Sequence, residues 1–133
     1  MPRQIESTAA ARVAAFRTAL RTFLRTSEKV ARVHGLTPQR YLLLLMIKGA
    51  PDGSEQSTVT DLAARLSLGQ STVTELVKRA EQAGLIERER SEDDARVAHV
   101  RLTAEGERRF AEAFTTLEEE RAALRRAFGE LDG

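Results

Sequence analysis

The side chains best placed to do chemistry in this chain are hydrogen-bonding ones rather than nucleophiles. Gln70, Ser71, Thr72, Thr74, Glu75, Lys78 and Arg79 are interleaved with Val73, Leu76, Val77 and Ala80. The apolar four fall at i, i+3, i+4 and i+7, one face of a helix, so the polar seven share the opposite face. Donors and acceptors gathered there suit contact with base edges, and small hydroxyls near the N-terminal end allow close approach to phosphate. The plain alternative is an amphipathic helix with a solvated outer face. Catalytic arrangements are missing. The two histidines, His34 and His99, fall in different elements, and the sequence contains no GxxxxGK[ST], HExxH or GxGxxG. With no cysteine, disulfides, thiolate zinc sites, iron–sulfur clusters and thiol redox sensing are excluded. Glu92, Asp93 and Asp94 lack the glycine and distal glutamate of a calcium loop. The chain is expected to be no enzyme and to hold no metal or cofactor.

The elements that must position the 70–79 face follow from punctuation. Thr60 reads as the cap of a short helix over 61–66, and Ser67-Leu68-Gly69 as a tight turn into a helix over 70–83. Gly84, with Leu85 as its apolar partner, closes that helix in a Schellman end. The period then drops to two. In 97–102, Ala98, Val100 and Leu102 share one face and His99 and Arg101 the other, the pattern of a strand. Residues 85–90 are its expected partner, joined to it by the polar tip 91–96. Helix, turn, helix and hairpin make a winged helix-turn-helix, whose second helix enters the major groove. Arg96 at the hairpin tip can sense the negative potential of a narrow minor groove. It can equally pair with Glu92, Asp93 or Asp94. Glu75 can accept from cytosine N4, or pair with Arg79 at i, i+4.

Around this unit lie helices. Residues 8–34 contain neither Gly nor Pro and carry a seam of Val13, Phe16, Leu20, Phe23 and Val30, with Ser27 and His34 on the same line. Arg17, Arg21, Arg25 and Lys29 form a separate i, i+4 row, read as a solvated face. Thr37 caps, and Pro38 opens, a helix over 38–48 that is apolar nearly all round and belongs at the centre. Thr103 caps a last helix, expected to run unbroken to about Phe128 along Phe110, Phe114, Leu117, Leu124 and Phe128, with Arg121 interrupting the seam. The 133 residues make one domain, mainly α with a small β-wing: 37–102 as the winged helix-turn-helix, 8–34 and 103–131 as dimerisation helices. Two apolar seams at opposite ends of so small a chain are the reason to expect a homodimer.

Composition neither announces nor forbids DNA. The formal net charge is +1, from 21 basic and 20 acidic residues. That near-balance keeps open a second reading, a winged-helix module for protein contact without DNA binding. The longest apolar run, Tyr41 to Ile47, is far short of a membrane span. MPRQIESTAA has no signal-peptide core, so a cytoplasmic protein without membrane contact is expected.

Several blocks carry a family resemblance: Leu36-Thr37-Pro38-Gln39, Thr58-Val59-Thr60-Asp61-Leu62-Ala63, Ser71-Thr72-Val73-Thr74, Ala83-Gly84-Leu85-Ile86-Glu87-Arg88, Asp94-Ala95-Arg96 and Leu102-Thr103-Ala104-Glu105-Gly106. In this order they resemble the MarR family of transcriptional regulators. The resemblance implies a homodimeric repressor or activator, expected here to be a ligand-responsive repressor, that binds double-stranded DNA at a pseudo-palindromic operator. It implies that Thr58-Val59 is a third strand of the wing sheet. It also implies that Arg96 enters the minor groove with Asp94 bracing it. Family members often respond to phenolic or aromatic acids held between the dimer helices and the winged unit. A small aromatic or anionic ligand is therefore expected, with His34, Arg40, Tyr41 and Arg121 as candidate contacts. Each has a plainer role: His34 at a helix C-terminus, Arg40 solvated in a first turn, Tyr41 in the core, and Arg121 snorkelling or pairing between chains.

Overall fold

A computed structural model describes residues 3–94 and 96–132. Met1, Pro2 and Gly133 of the expected single domain, and Ala95 of the block Asp94-Ala95-Arg96, lie outside the described residues. The chain runs α1 (Ser7–Val33), α2 (Pro38–Lys48), β1 (Gln56–Ser57), α3 (Val59–Leu66), α4 (Gln70–Gln82), β2 (Ile86–Arg90), β3 (Ala98–Leu102), α5 (Ala104–Thr116) and α6 (Glu118–Gly129). The fold is mainly α with a small wing, as the periodicities predict.

The helix α2 is the hub. Thr37 accepts from the Arg40 amide at 3.1 Å and Pro38 occupies the first turn, so the start is capped without a lost donor. Leu36 and Tyr41, on either side of that cap, are both buried, a hydrophobic staple that fixes the entry angle. Leu43, Leu44 and Ile47 then meet Leu62 of α3, Val73, Val77 and Ala80 of α4, Val100 of β3, and Phe110 and Leu117 in one core. Only Leu42 of the apolar run is substantially exposed.

The wing is a three-stranded antiparallel sheet in the order β1-β3-β2. Ile86 pairs with Leu102 and Arg90 with Ala98. β2 buries only Ile86, and its weak alternation is offset by charge. Arg101, opposite Glu87, bonds Glu87 at 3.0 Å and reaches the diagonal Glu89 at 3.2 Å. The third strand is not Thr58-Val59 but Gln56–Ser57, because Thr58 is already the cap of α3. Thr60 does not cap that helix. Thr58 Oγ1 accepts from the Asp61 amide at 3.1 Å, which begins α3 two residues earlier than 61–66.

The joint between α4 and α5 is tight. The Leu85 amide reaches Ala80 O and the Gly84 amide reaches Glu81 O, the Schellman end expected at Gly84. Thr103 Oγ1 accepts from the Gly106 amide at 3.1 Å while donating to Gly84 O at 2.6 Å. The Leu85 carbonyl lies so near Gly106 that a Cβ there would stand 2.0 Å from its oxygen.

The last helix is two helices, not one. The chain breaks at Leu117 (φ −91°, ψ 10°), whose side chain is fully buried. Arg121 spans the break, donating to Phe114 O at 2.6 Å. Three glutamates, Glu118 to Glu120, form the first turn of α6, where the helix dipole favours negative charge. From there α6 turns back along α1, and the rings of Phe16 and Phe128 meet edge to face at 5.9 Å. This outer layer is thin. Of α1 only Ala31 is buried, and a groove of about 520 Å³ lined by Phe16, Phe23, Leu124 and Phe128 stays open. This layer joins the winged unit through the shared core, at Ala31 and Leu117, and through a polar contact at Gly35. Glu105, pulled down to about 2 by hydrogen bonds from Arg108 and Arg109, holds Arg109 where it also donates to Gly35 O at 3.1 Å.

Candidate nucleic-acid interface

Residues 67–69 turn α3 into α4. Ser67 takes the left-handed conformation (φ 56°), and the Leu68 amide bonds back to Ala63 O. Gly69 precedes α4 without a side-chain cap, and the first bond of the helix is from the Val73 amide to Gly69 O. The amides of Gln70, Ser71 and Thr72 are thus left for a partner outside the helix. Together they form the positive end of the helix dipole, which favours an anion such as phosphate.

Burial sorts the helix as its spacing predicts. Val73, Val77 and Ala80 are buried, while Gln70, Ser71, Thr72, Thr74, Glu75, Lys78 and Arg79 are all exposed. Glu75 and Arg79 lie 3.4 Å apart on this face, in the i, i+4 arrangement. Both are well exposed, so the pair is weak and water or a base competes easily for either. Gln70 is more firmly placed: its Nε2 donates to Thr60 Oγ1 at 2.9 Å.

The wing tip is closed by bonds from the Ser91 amide to Val97 O and from the Val97 amide to Asp94 O. Asp94 Oδ1 accepts from both the Arg96 amide (3.0 Å) and Arg96 Nε (3.3 Å). These two bonds hold the Asp94 carboxyl below its ordinary value. The Arg96 side chain is nevertheless 91% exposed, aimed by Asp94 rather than covered by it. Glu92 and Asp93 are exposed beside it. Among the described residues, no cluster of acidic or histidine side chains is arranged to hold a metal.

The four candidate ligand contacts divide. Tyr41 packs on Phe110 with ring centroids 5.6 Å apart, Phe110 on Phe114 at 5.4 Å, and the Arg121 guanidinium lies 3.6 Å from the Phe114 centroid. Burial pushes the Tyr41 hydroxyl up, and the Arg121 charge draws it partly back. Tyr41 and Arg121 therefore belong to one aromatic row. His34 is engaged elsewhere, between Glu112 Oε2 and Thr116 Oγ1, each at 3.3 Å. The Arg40 side chain is half-buried and joins none of these by a hydrogen bond or ion pair. Spacing gave no sign of the Thr60–Gln70 bond. A sign of the Leu117 break was available, in three acids that belong to a helix start.

Three comparisons bear on this geometry. A model of the MarR family matches residues 34–97. The HTH-type transcriptional regulator MgrA of Staphylococcus aureus is 38% identical over 81 residues, 61% of this chain and 52% of MgrA. The chain thus spans about half the length of the curated relatives it matches. Among solved structures, AbsC of Streptomyces coelicolor, a MarR family transcriptional regulator, superposes with a TM-score of 0.68 at 24% identity, over 98% of this chain and 84% of AbsC. The M. tuberculosis regulator MOSR, solved in complex with DNA, gives 0.61 at 26% identity over 80% and 74%. The family model ends at residue 97, just before β3. Among the described residues no helix is long and apolar enough to cross a membrane.

Proposed function

We propose that the chain is a member of the MarR family, whose model matches residues 34–97, and that it is a homodimeric, sequence-specific DNA-binding transcriptional regulator acting as a repressor in the cytoplasm. In this reading α4 enters the major groove and Arg96 the adjoining minor groove, with Asp94 as its brace. A two-fold dimer through α1, α5 and α6 sets two such units on a pseudo-palindrome, with half-sites about 10 bp apart. The carrying observation is the outer face of α4. Seven hydrogen-bonding side chains are exposed there beside three amides without a partner in the helix, flanked by an exposed wing arginine. The near-zero net charge favours the other reading, a protein-contact module, and one experiment separates the two. Binding-site selection at two salt concentrations should return a pseudo-palindrome with a steep negative salt dependence. Selection of no sequence would leave the protein-contact module.

The same assay divides the labour of the residues. Arg96→Ala should weaken all selected sites together, most at A·T-rich flanks, and flatten the salt slope by about one unit. Glu75→Ala should change which half-site wins. Unchanged affinity in the first case removes the wing arginine from the interface. Unchanged preference in the second returns Glu75 to its pairing with Arg79.

The reading includes a small aromatic or anionic ligand. Its support is the row from Tyr41 through Phe114 to the Arg121 cation, at the junction of the winged unit with the terminal helices. Benzoate, a minimal aromatic acid, should release DNA and quench Tyr41, the only tyrosine in the chain. A titration in which neither signal moves removes this part of the reading.

A further inference from the structure

With Thr58 capping α3, the Thr60 hydroxyl is free for another task, and it is spent on α4. Thr60 Oγ1 accepts from Gln70 Nε2 at 2.9 Å, across the turn and ten residues away. Both residues are exposed, and each lies in the first turn of its helix. The geometry points to Thr60 as a positioning residue for sequence reading, acting through Gln70. This rests on the DNA-binding reading above.

A glutamine amide offers two N–H donors and a carbonyl with two lone pairs. Unrestrained at the start of a helix, it can turn either end toward a base edge. Thr60 takes one N–H. That fixes the plane of the amide and leaves the second N–H and Oε1 as an ordered donor–acceptor pair on the exposed face. Such a pair complements the N7 acceptor and N6 donor of adenine in the major groove. The restraint is stiff because threonine is β-branched and its own χ1 is restricted. A side chain already held in the reading pose loses less freedom when DNA arrives, so discrimination at that base pair is sharpened. The Thr60 side chain itself need touch no base.

Binding-site selection with the wild type, Thr60→Val, Thr60→Ser, Gln70→Ala and the double variant Thr60→Val/Gln70→Ala tests this. Gln70→Ala should erase preference at one position of each half-site. Thr60→Val should lower discrimination at that same position by about fivefold, the loss of one ordinary hydrogen bond. The other positions and the melting temperature should not move. Thr60→Ser, which keeps the hydroxyl, should restore the preference, and the double variant should match Gln70→Ala. A Thr60→Val effect spread evenly over all positions, or a double variant worse than Gln70→Ala, would overturn the inference. So would a wild-type preference that neither single variant changes, and in that case the regulator reading stands. If the wild type selects no sequence, the regulator reading fails and takes this inference with it.

Discussion

Gly106→Ala is expected to destabilise the protein by about 3–4 kcal/mol, although alanine is the better helix former. On propensity alone the change would stabilise by about 1 kcal/mol. The sign reverses because the new Cβ meets backbone on its other side: it would lie 2.0 Å from the Leu85 carbonyl oxygen and 3.0 Å from its carbon. Nothing there is a flexible side-chain end that could swing away. Relief requires moving Leu85, which is fully buried and whose carbonyl accepts from the Thr103 amide at 3.0 Å. It would also disturb Thr103, which ties Gly84 to Gly106. Against a total stability of about 5–15 kcal/mol this is a large fraction. The urea midpoint should fall clearly below that of the wild type. An unchanged or raised midpoint would show that α5 can back away from α4 at little cost.

Leu117→Asp and Phe128→Asp should fail in different ways. Leu117 is fully buried at the α5–α6 break. An aspartate there is an unpaired buried charge, costing about 3–5 kcal/mol, and the chain should unfold. Phe128 is 66% exposed in the single chain and touches Phe16 only at its edge. Its loss should leave the subunit folded while placing a charge in the seam of the proposed dimer. Circular dichroism should show a native helical spectrum for Phe128→Asp, and sedimentation a monomer. If Phe128→Asp sediments as a dimer, the interface lies elsewhere than the α1–α6 groove. If Leu117→Asp stays folded, the break is not seated in the core as described.

Much of this was legible where one local rule decides. Thr37, Gly84 and Thr103 announce helix ends by caps that need no tertiary partner, and the alternation from Ala98 to Leu102 announces β3. The outer face of α4 followed from the spacing of Val73, Val77 and Ala80. Misreadings came where two candidates satisfied the same rule. Thr58 and Thr60 are both good caps, and only the start of α3 decides between them. The apolar period runs on through Leu117, so periodicity conceals the break. What it could not convey is that Phe114 leaves a carbonyl for Arg121 and that α6 must turn back to reach α1. Side-chain pairings between elements, such as Thr60 with Gln70 and His34 with Glu112, leave no mark in spacing. Asp94 and Arg96, two residues apart, were within its reach.

The contact of α1 with α6 also imposes an order on the birth of the protein. The first helix of the chain leaves the ribosome with a single residue, Ala31, that is buried within the subunit, and Phe128, the ring partner of its Phe16, follows only in α6. At ordinary rates of synthesis, Phe16 and Phe23 wait for several seconds before anything can lie against them. The α2–α5 unit needs neither end of that contact for most of its core and can close first. A chain whose translation stops soon after Leu117 would therefore carry the exposed face of α4 and the wing with its long first helix bare. Such a fragment is a natural substrate for chaperones and proteases that recognise exposed apolar helices.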